Sequence, residues 1–196
     1  MNPFLVLNKR GQFVWLDYIS RSLITDGRLQ RLIDEDGLGG VTTNPTIFDK
    51  AIAGTADYDA ALHRALNADP GLSDRALAER LIVEDIGMAA DVLRPVYDQS
   101  DGANGFVSLE VSPGSAHDTG ATIAEARHLW ERVARPNVMI KVPATLEGIA
   151  AVEELTAEGI NVNITLMFSL EHYEAVAQAY LRGIDRNPDP GRVVSV

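Results

Sequence analysis

Asn137-Val138-Met139-Ile140-Lys141-Val142-Pro143-Ala144-Thr145 is a short, strongly apolar run, with β-branched residues on either side of one basic side chain. Its length and composition predict a strand buried on both faces. Alternation places Val138, Ile140 and Val142 on one face and Met139 and Lys141 on the other, so an apolar side can pack on helices while the amine points elsewhere. An ammonium group stripped of water in such a strand is driven toward the neutral amine, which is a nucleophile able to form Schiff bases with carbonyl compounds. The competing reading is a strand-end lysine that snorkels to water.

Outward from this strand, short apolar runs recur between longer segments of helical period, the alternation expected of βα units around a parallel sheet. Strands are predicted near residues 13–17, 39–43, 106–111, 138–143, 161–166 and 192–196. Between the first two, residues 27–36 carry Leu29, Leu32 and Ile33 at helical spacing and are closed by Gly37. The second connection is long, with a helix predicted over 57–67, a Pro70-Gly71 break and a longer helix over 74–98. Helices at 121–134, 146–158 and 170–186 follow, the middle one entered through Thr145 as N-cap and left through Gly159. Arg192-Val193-Val194-Ser195-Val196 reads as the first half of a further buried strand. Six strands are fewer than the eight of a closed barrel, whose usual size is roughly 250 residues. The expectation is either an open sheet or an N-terminal piece of something longer.

The chain has 196 residues, 46% apolar and 23% charged, which fits one domain with a sizeable core. With no cysteine, disulfides, thiolate metal sites and cysteine nucleophiles are excluded. The N-terminus lacks the pattern of a signal peptide and no stretch is long enough to span a bilayer, so the expected compartment is the cytoplasm. A net charge of −11 argues against nucleic acid or an anionic membrane as main partner. A small anionic metabolite remains compatible, since it needs only a local group of donors.

The other strands repeat one pattern: an apolar face, and a second face that turns polar toward the C-terminal end. Ser108 and Glu110 oppose Val107, Leu109 and Val111; Asn161, Asn163 and Thr165 oppose Val162, Ile164 and Leu166. The first strand ends on Asp17 and the second runs into Thr42-Thr43-Asn44-Pro45. In a parallel sheet those ends meet at one rim, where polar groups read as catalytic or binding groups. Each has a plainer alternative. Asp17 could cap a helical turn beginning near Tyr18, Glu110 could serve a structural salt bridge, Thr165 is a common strand former, and Asn44-Pro45 is a common turn. The specific observation is the set: an amine, two carboxylates, two amides and a hydroxyl on five different strand ends. His63, His117, His128 and His172 are scattered, which disfavours a metal-dependent aldol mechanism. Gly37-Leu38-Gly39-Gly40 precedes a strand instead of following one, so it is a helix-to-strand turn and not a dinucleotide fingerprint.

Four ordered stretches carry a resemblance: Val41-Thr42-Thr43-Asn44-Pro45-Thr46, Ser108-Leu109-Glu110-Val111-Ser112-Pro113, Met139 through Thr145, and Gly159 through Ser169. Together they resemble the successive motifs of transaldolase, closest to the bacterial branch of long-chain transaldolases, over essentially the whole chain. The resemblance implies a (β/α)8 TIM barrel of the class I aldolase type with the Schiff-base lysine on the fourth strand, where Lys141 falls. It implies Lys141 as nucleophile and Asp17 as acid/base at the hydroxyl whose deprotonation breaks the carbon–carbon bond. Glu110 would move protons through a water also held by Thr165, and Asn44, Asn163 and Thr42 would hold the dihydroxyacetone unit. Sugar phosphates are the implied substrates, and neither cofactor nor metal is implied.

The same resemblance places the family's phosphate-binding residues beyond Val196. Residues 1–196 are therefore expected to form a single α/β-barrel domain interrupted before the barrel closes, inactive or nearly so as an isolated chain. Two alternatives stay open: a Schiff-base aldolase that releases dihydroxyacetone to water, and a fragment that associates with itself or a partner through the open edge of its sixth strand.

Overall fold

A computed structural model describes residues 2–195, which fall into two compact units divided between Val107 and Ser108. The first unit begins with α1 (Pro3–Asn8), β1 (Trp15–Asp17), α2 (Arg21–Thr25), α3 (Arg28–Asp36) and β2 (Gly40–Thr42). It continues through α4 (Pro45–Ala53), a 3-10 turn at Ala56–Tyr58, α5 (Asp59–Ala68) and the 26-residue α6 (Asp74–Gln99) to β3 (Phe106–Glu110), within which the boundary falls. β1 and β2 pair in parallel, Trp15 opposite Gly40, Leu16 opposite Val41 and Asp17 opposite Thr42. Where β3 begins, Gly105 N donates to Gly39 O at 2.8 Å. A core cluster of Ala51, Tyr58, Ala61 and Leu81 joins α4, α5 and α6.

The second unit holds the remainder of β3, then α7 (Thr119–Val133), β4 (Val138–Pro143), α8 (Leu146–Ala157), β5 (Val162–Thr165) and α9 (Leu170–Arg186). β4 and β5 are parallel, Lys141 opposite Asn163 and Pro143 opposite Thr165, and Val111 N donates to Lys141 O at 3.1 Å after β3. Thr145 caps α8 as expected, its Oγ1 accepting from Gly148 N at 3.0 Å. After that helix Gly159 takes φ +86, a left-handed exit that a residue with a Cβ adopts only under strain. Gly183 lets α9 press against α8: a Cβ there would lie 2.6 Å from Glu153 O. Parallel strands in chain order, joined by helices, make an α/β fold, and five of the strands that a (β/α)8 barrel needs are present among the described residues.

Two expectations need correction. Asn44-Pro45 does not make a simple turn: it starts α4, with Asn44 Oδ1 accepting from Ile47 N at 3.0 Å and Pro45 in the first helical turn, where its missing N–H costs nothing. The strand expected at 192–196 is not formed as a ladder among the described residues. Arg192 closes a 3-10 turn begun at Pro190, and beyond it Val162 N donates to Val194 O at 3.2 Å, with a single parallel bridge from Val162 to Ser195. The prolines at 188 and 190 favour that turn and shorten the extended run; Val196 lies outside the described residues.

Candidate active site

Ile164 on β5 packs with Ala144, Ile149, Val176 and Ala179 against α8 and α9. By strand alternation Asn163 and Thr165 therefore face the other way. On β4, Val138, Ile140 and Val142 are fully buried while Lys141, opposite Asn163 in the register, is half-buried on the alternate face. Glu110, the last residue of β3, brings Oε2 to 3.2 Å from Lys141 Nζ, and the two side chains are only 15% and 13% exposed. Asn163 Nδ2 donates to Ser108 Oγ at 3.2 Å, and Ser108 is fully buried. Three adjacent strands thus present amine, carboxylate, amide and hydroxyl on one face. The sequence alone put Lys141 among apolar neighbours; the structure adds the carboxylate beside it.

This arrangement suits carbonyl chemistry. A primary amine can add to a ketone, and a carboxylate within hydrogen-bond reach can take up and return the protons that addition and water loss require. Immediately after Thr165 the backbone of Leu166 is left-handed at φ +60. Such strain in a residue with a side chain concentrates at functional sites.

In the first unit, Asp17 and Thr42 are register partners at the C-terminal ends of β1 and β2. Asp17 is exposed and is not the cap of the helix that follows: Ser20 caps α2, its Oγ accepting from Leu23 N at 3.2 Å. Asn44 sits two residues past β2 with its Oδ1 committed to the α4 cap, which leaves its amide nitrogen as the group that can donate.

Sequence reasoning passed over two features. In the sequence Ser108 is a member of a polar face and opens one of the four stretches that carry the resemblance; its bond to Asn163 spans 55 positions and has no local signal. The second is a buried network behind the β1–α2 connection. Arg21 Nε donates to Asp85 Oδ1 at 2.7 Å, Arg21 Nη2 lies 2.9 Å from Glu84 Oε2, and the Tyr58 hydroxyl donates to Asp85 Oδ2 at 2.7 Å. The Arg21 guanidinium also stands over the Tyr58 ring at 4.9 Å. Burial pushes the Asp85 carboxyl above its ordinary value, against the pull of Tyr58 and Arg21, and burial with the Asp85 contact pushes the Tyr58 phenol well up. The network ties α2 to the 3-10 turn and to α6. Among the described residues no group of three or more His, Asp or Glu could hold a metal ion, and no helix is long and apolar enough to cross a membrane.

The profile of the family described as Transaldolase/Fructose-6-phosphate aldolase matches residues 14–196. Transaldolase 2 of Nostoc punctiforme is 45% identical over 194 residues, covering 99% of this chain and 50% of the relative. A transaldolase of Thermobifida fusca is 49% identical over 194 residues, 99% of this chain and 52% of the relative. One from Thiobacillus denitrificans is 45% identical over 191 residues, 97% and 53% respectively. The chain spans about half the length of the curated relatives it matches.

Proposed function

Because the chain belongs to the transaldolase/fructose-6-phosphate aldolase family, we propose that, within a closed barrel, it transfers a dihydroxyacetone unit between sugar phosphates through a Schiff base on Lys141. The donor is a ketose phosphate such as sedoheptulose 7-phosphate and the acceptor an aldose phosphate such as glyceraldehyde 3-phosphate, an exchange of the pentose phosphate pathway in the cytoplasm. The single observation that carries this reading is the 3.2 Å approach of Lys141 Nζ to Glu110 Oε2.

Once it has given up a proton, the Lys141 amine adds to the ketone carbon, and the resulting carbinolamine loses its hydroxyl as water with a proton relayed from Glu110 through a water that Thr165 also holds. The iminium left behind is an electron sink. Asp17 takes the proton of the C4 hydroxyl, the C3–C4 bond breaks, its electron pair moves into the iminium to give an enamine, and the four-carbon aldose phosphate departs. The enamine carbon then attacks the acceptor aldehyde, Asp17 returns the proton to the new alkoxide, and water addition with C–N cleavage frees the product ketose and the amine. Atoms and electrons balance without a cofactor or metal. Asn163, beside Lys141, and Asn44 with Thr42 hold hydroxyls of the three-carbon unit.

The test is borohydride reduction in the presence of fructose 6-phosphate, on a closed-barrel form of the protein, followed by peptide mass mapping. An adduct on Lys141 is expected; its absence removes the mechanism. A second reading, an aldolase that releases dihydroxyacetone, is favoured by the family's own description, which joins the two activities. Product analysis with and without acceptor separates them. Self-association of the chain is supported by the exposed apolar side chains of Leu146, Phe168 and Leu170 at the starts of α8 and α9; a mass that rises with concentration would favour it.

A further inference from the structure

At the N-terminal ends of its strands the first unit carries a cavity of about 410 Å3. Phe13 ahead of β1, Leu38 ahead of β2 and Asn104 ahead of β3 bound it, with walls from α3 and the last turns of α6. Phe13 and Asp17 are four positions apart, about 13 Å at the usual strand rise, so the cavity lies away from the strand ends that carry Asp17 and Thr42. Its volume falls in the range of small-molecule sites, ~300–1,000 Å3.

Part of its polar lining has no hydrogen-bond partner among the described residues. Asn104 is only 5% exposed, and its backbone groups bond to Ser100, but its side-chain amide makes no hydrogen bond among the described residues. Asn8 donates from Nδ2 to Gly37 O at 2.6 Å, while its Oδ1 is buried without a partner. At the rim, Asp34 Oδ1 accepts from Gln30 Nε2 at 2.9 Å and its second oxygen remains uncommitted. A largely buried amide without a partner is costly, and a bound group that supplies N–H to Asn104 reduces the cost. Asp34 is the only charged residue of the lining, which contains no Lys, Arg or His. A phosphate or carboxylate would meet a carboxylate there with no cation to offset it. Ile33, Leu38 and Val96 complete the lining with apolar surface.

We propose that this cavity is a second ligand site that takes a small organic amine: a protonated nitrogen directed at Asp34 and the side-chain amide oxygen of Asn104, on a compact apolar body lying against Ile33, Leu38 and Val96. It is a site of opposite selectivity to one for sugar phosphates, and it stands whether or not the reaction proposed for Lys141 does.

The probe is benzylammonium at neutral pH, titrated into this chain and followed by amide resonances in two-dimensional NMR, with benzoate as the matched anion. Saturable shifts clustered on Leu38, Val96 and Asn104 are expected with benzylammonium and none with benzoate at equal concentration. Asp34→Asn, on the exposed rim, is expected to weaken the amine by about tenfold by removing a charge-assisted bond. Val96→Phe, which fills the groove, is expected to abolish the shifts. Benzoate binding as well as the amine, no shifts with either probe, or an Asp34→Asn chain that binds the amine unchanged would each overturn the proposal.

Discussion

Asn163 Nδ2 donates to Ser108 Oγ at 3.2 Å, so an amide on β5 reaches past β4 to a hydroxyl on β3. Lys141 stands on the strand between them, opposite Asn163 in the register. Barrel interiors are layered in this way, alternate strands contributing to one layer, so Ser108 and Asn163 share a layer while Lys141 belongs to the next. With one N–H held by Ser108, the carbonyl oxygen of Asn163 has a defined direction. Ser108→Ala leaves that amide free to turn and is expected to lower the stability of this chain by about 1 kcal/mol, the net value of one hydrogen bond. Urea denaturation measures it. In a completed barrel the same change is expected to raise the KM for the ketose more than it lowers kcat.

Glu110→Gln keeps the shape beside Lys141 and removes the base. If Glu110 relays the protons of carbinolamine formation and collapse, the borohydride-trapped adduct on Lys141 is expected to accumulate about a hundredfold more slowly or worse, the usual range for losing a general acid–base. Lys141→Met is expected to give no adduct at all. A time course of adduct mass, quenched with borohydride, measures both. An unchanged rate in Glu110→Gln would confine Glu110 to a structural ion pair.

Asp85 is fully buried, with Arg21 and Tyr58 both bonded to it. Removing the carboxylate with Asp85→Ala leaves a guanidinium with only the partly exposed Glu84 to answer it. The expected loss is about 3 kcal/mol, the lower end for breaking a buried pair. Tyr58→Phe, which removes one hydroxyl bond, is expected to cost about 1–2 kcal/mol. The double variant is expected to cost less than the sum, since both act on one network, and urea midpoints of the four chains test that.

The Tyr58 phenol is held well above its ordinary value, first by burial and then by Asp85. A group whose folded value is raised contributes stability that is fully present below its unfolded value, about 10 for tyrosine, and lost as the pH climbs through the folded one. The chain is therefore expected to unfold cooperatively at alkaline pH as phenolate forms. Tyr58→Phe removes the part of the 295 nm absorbance change at the alkaline extreme of the titration. Tyr180, raised by burial alone, remains as the late-titrating phenol in that variant.

Much of the βα order was legible because buried parallel strands announce themselves as short apolar runs. The 138–143 strand and the 74–98 helix fall within a residue of β4 and α6. The face on which Lys141, Asn163 and Thr165 lie follows from alternation alone, because a period of two admits only two sides. The helices α1, α2 and α4 were missed: they have six, five and nine residues, too few to show a period, and α4 opens on an Asn-Pro pair that turns and helix starts share. The Arg21–Asp85–Tyr58 network could not be read at all, since its members are separated by 27 to 64 positions and only the tertiary fold brings them together.

Leu166 follows Thr165 with φ +60, a conformation that costs a residue with a Cβ about 1–2 kcal/mol. Its side chain is 57% exposed, so packing does not explain why leucine holds this position. Leu166→Gly removes the steric conflict but adds freedom to the unfolded chain, and the balance is expected to be a gain of up to about 1 kcal/mol. Leu166→Val, branched at Cβ, is expected to lose a similar amount or more. If the strain serves to aim the segment after Thr165, the glycine variant in a completed barrel gains stability while its kcat falls. Urea midpoints and steady-state kinetics on the same preparations separate the two effects. A glycine variant that loses more than about 1 kcal/mol would mean that the leucine side chain makes contacts worth more than its backbone strain.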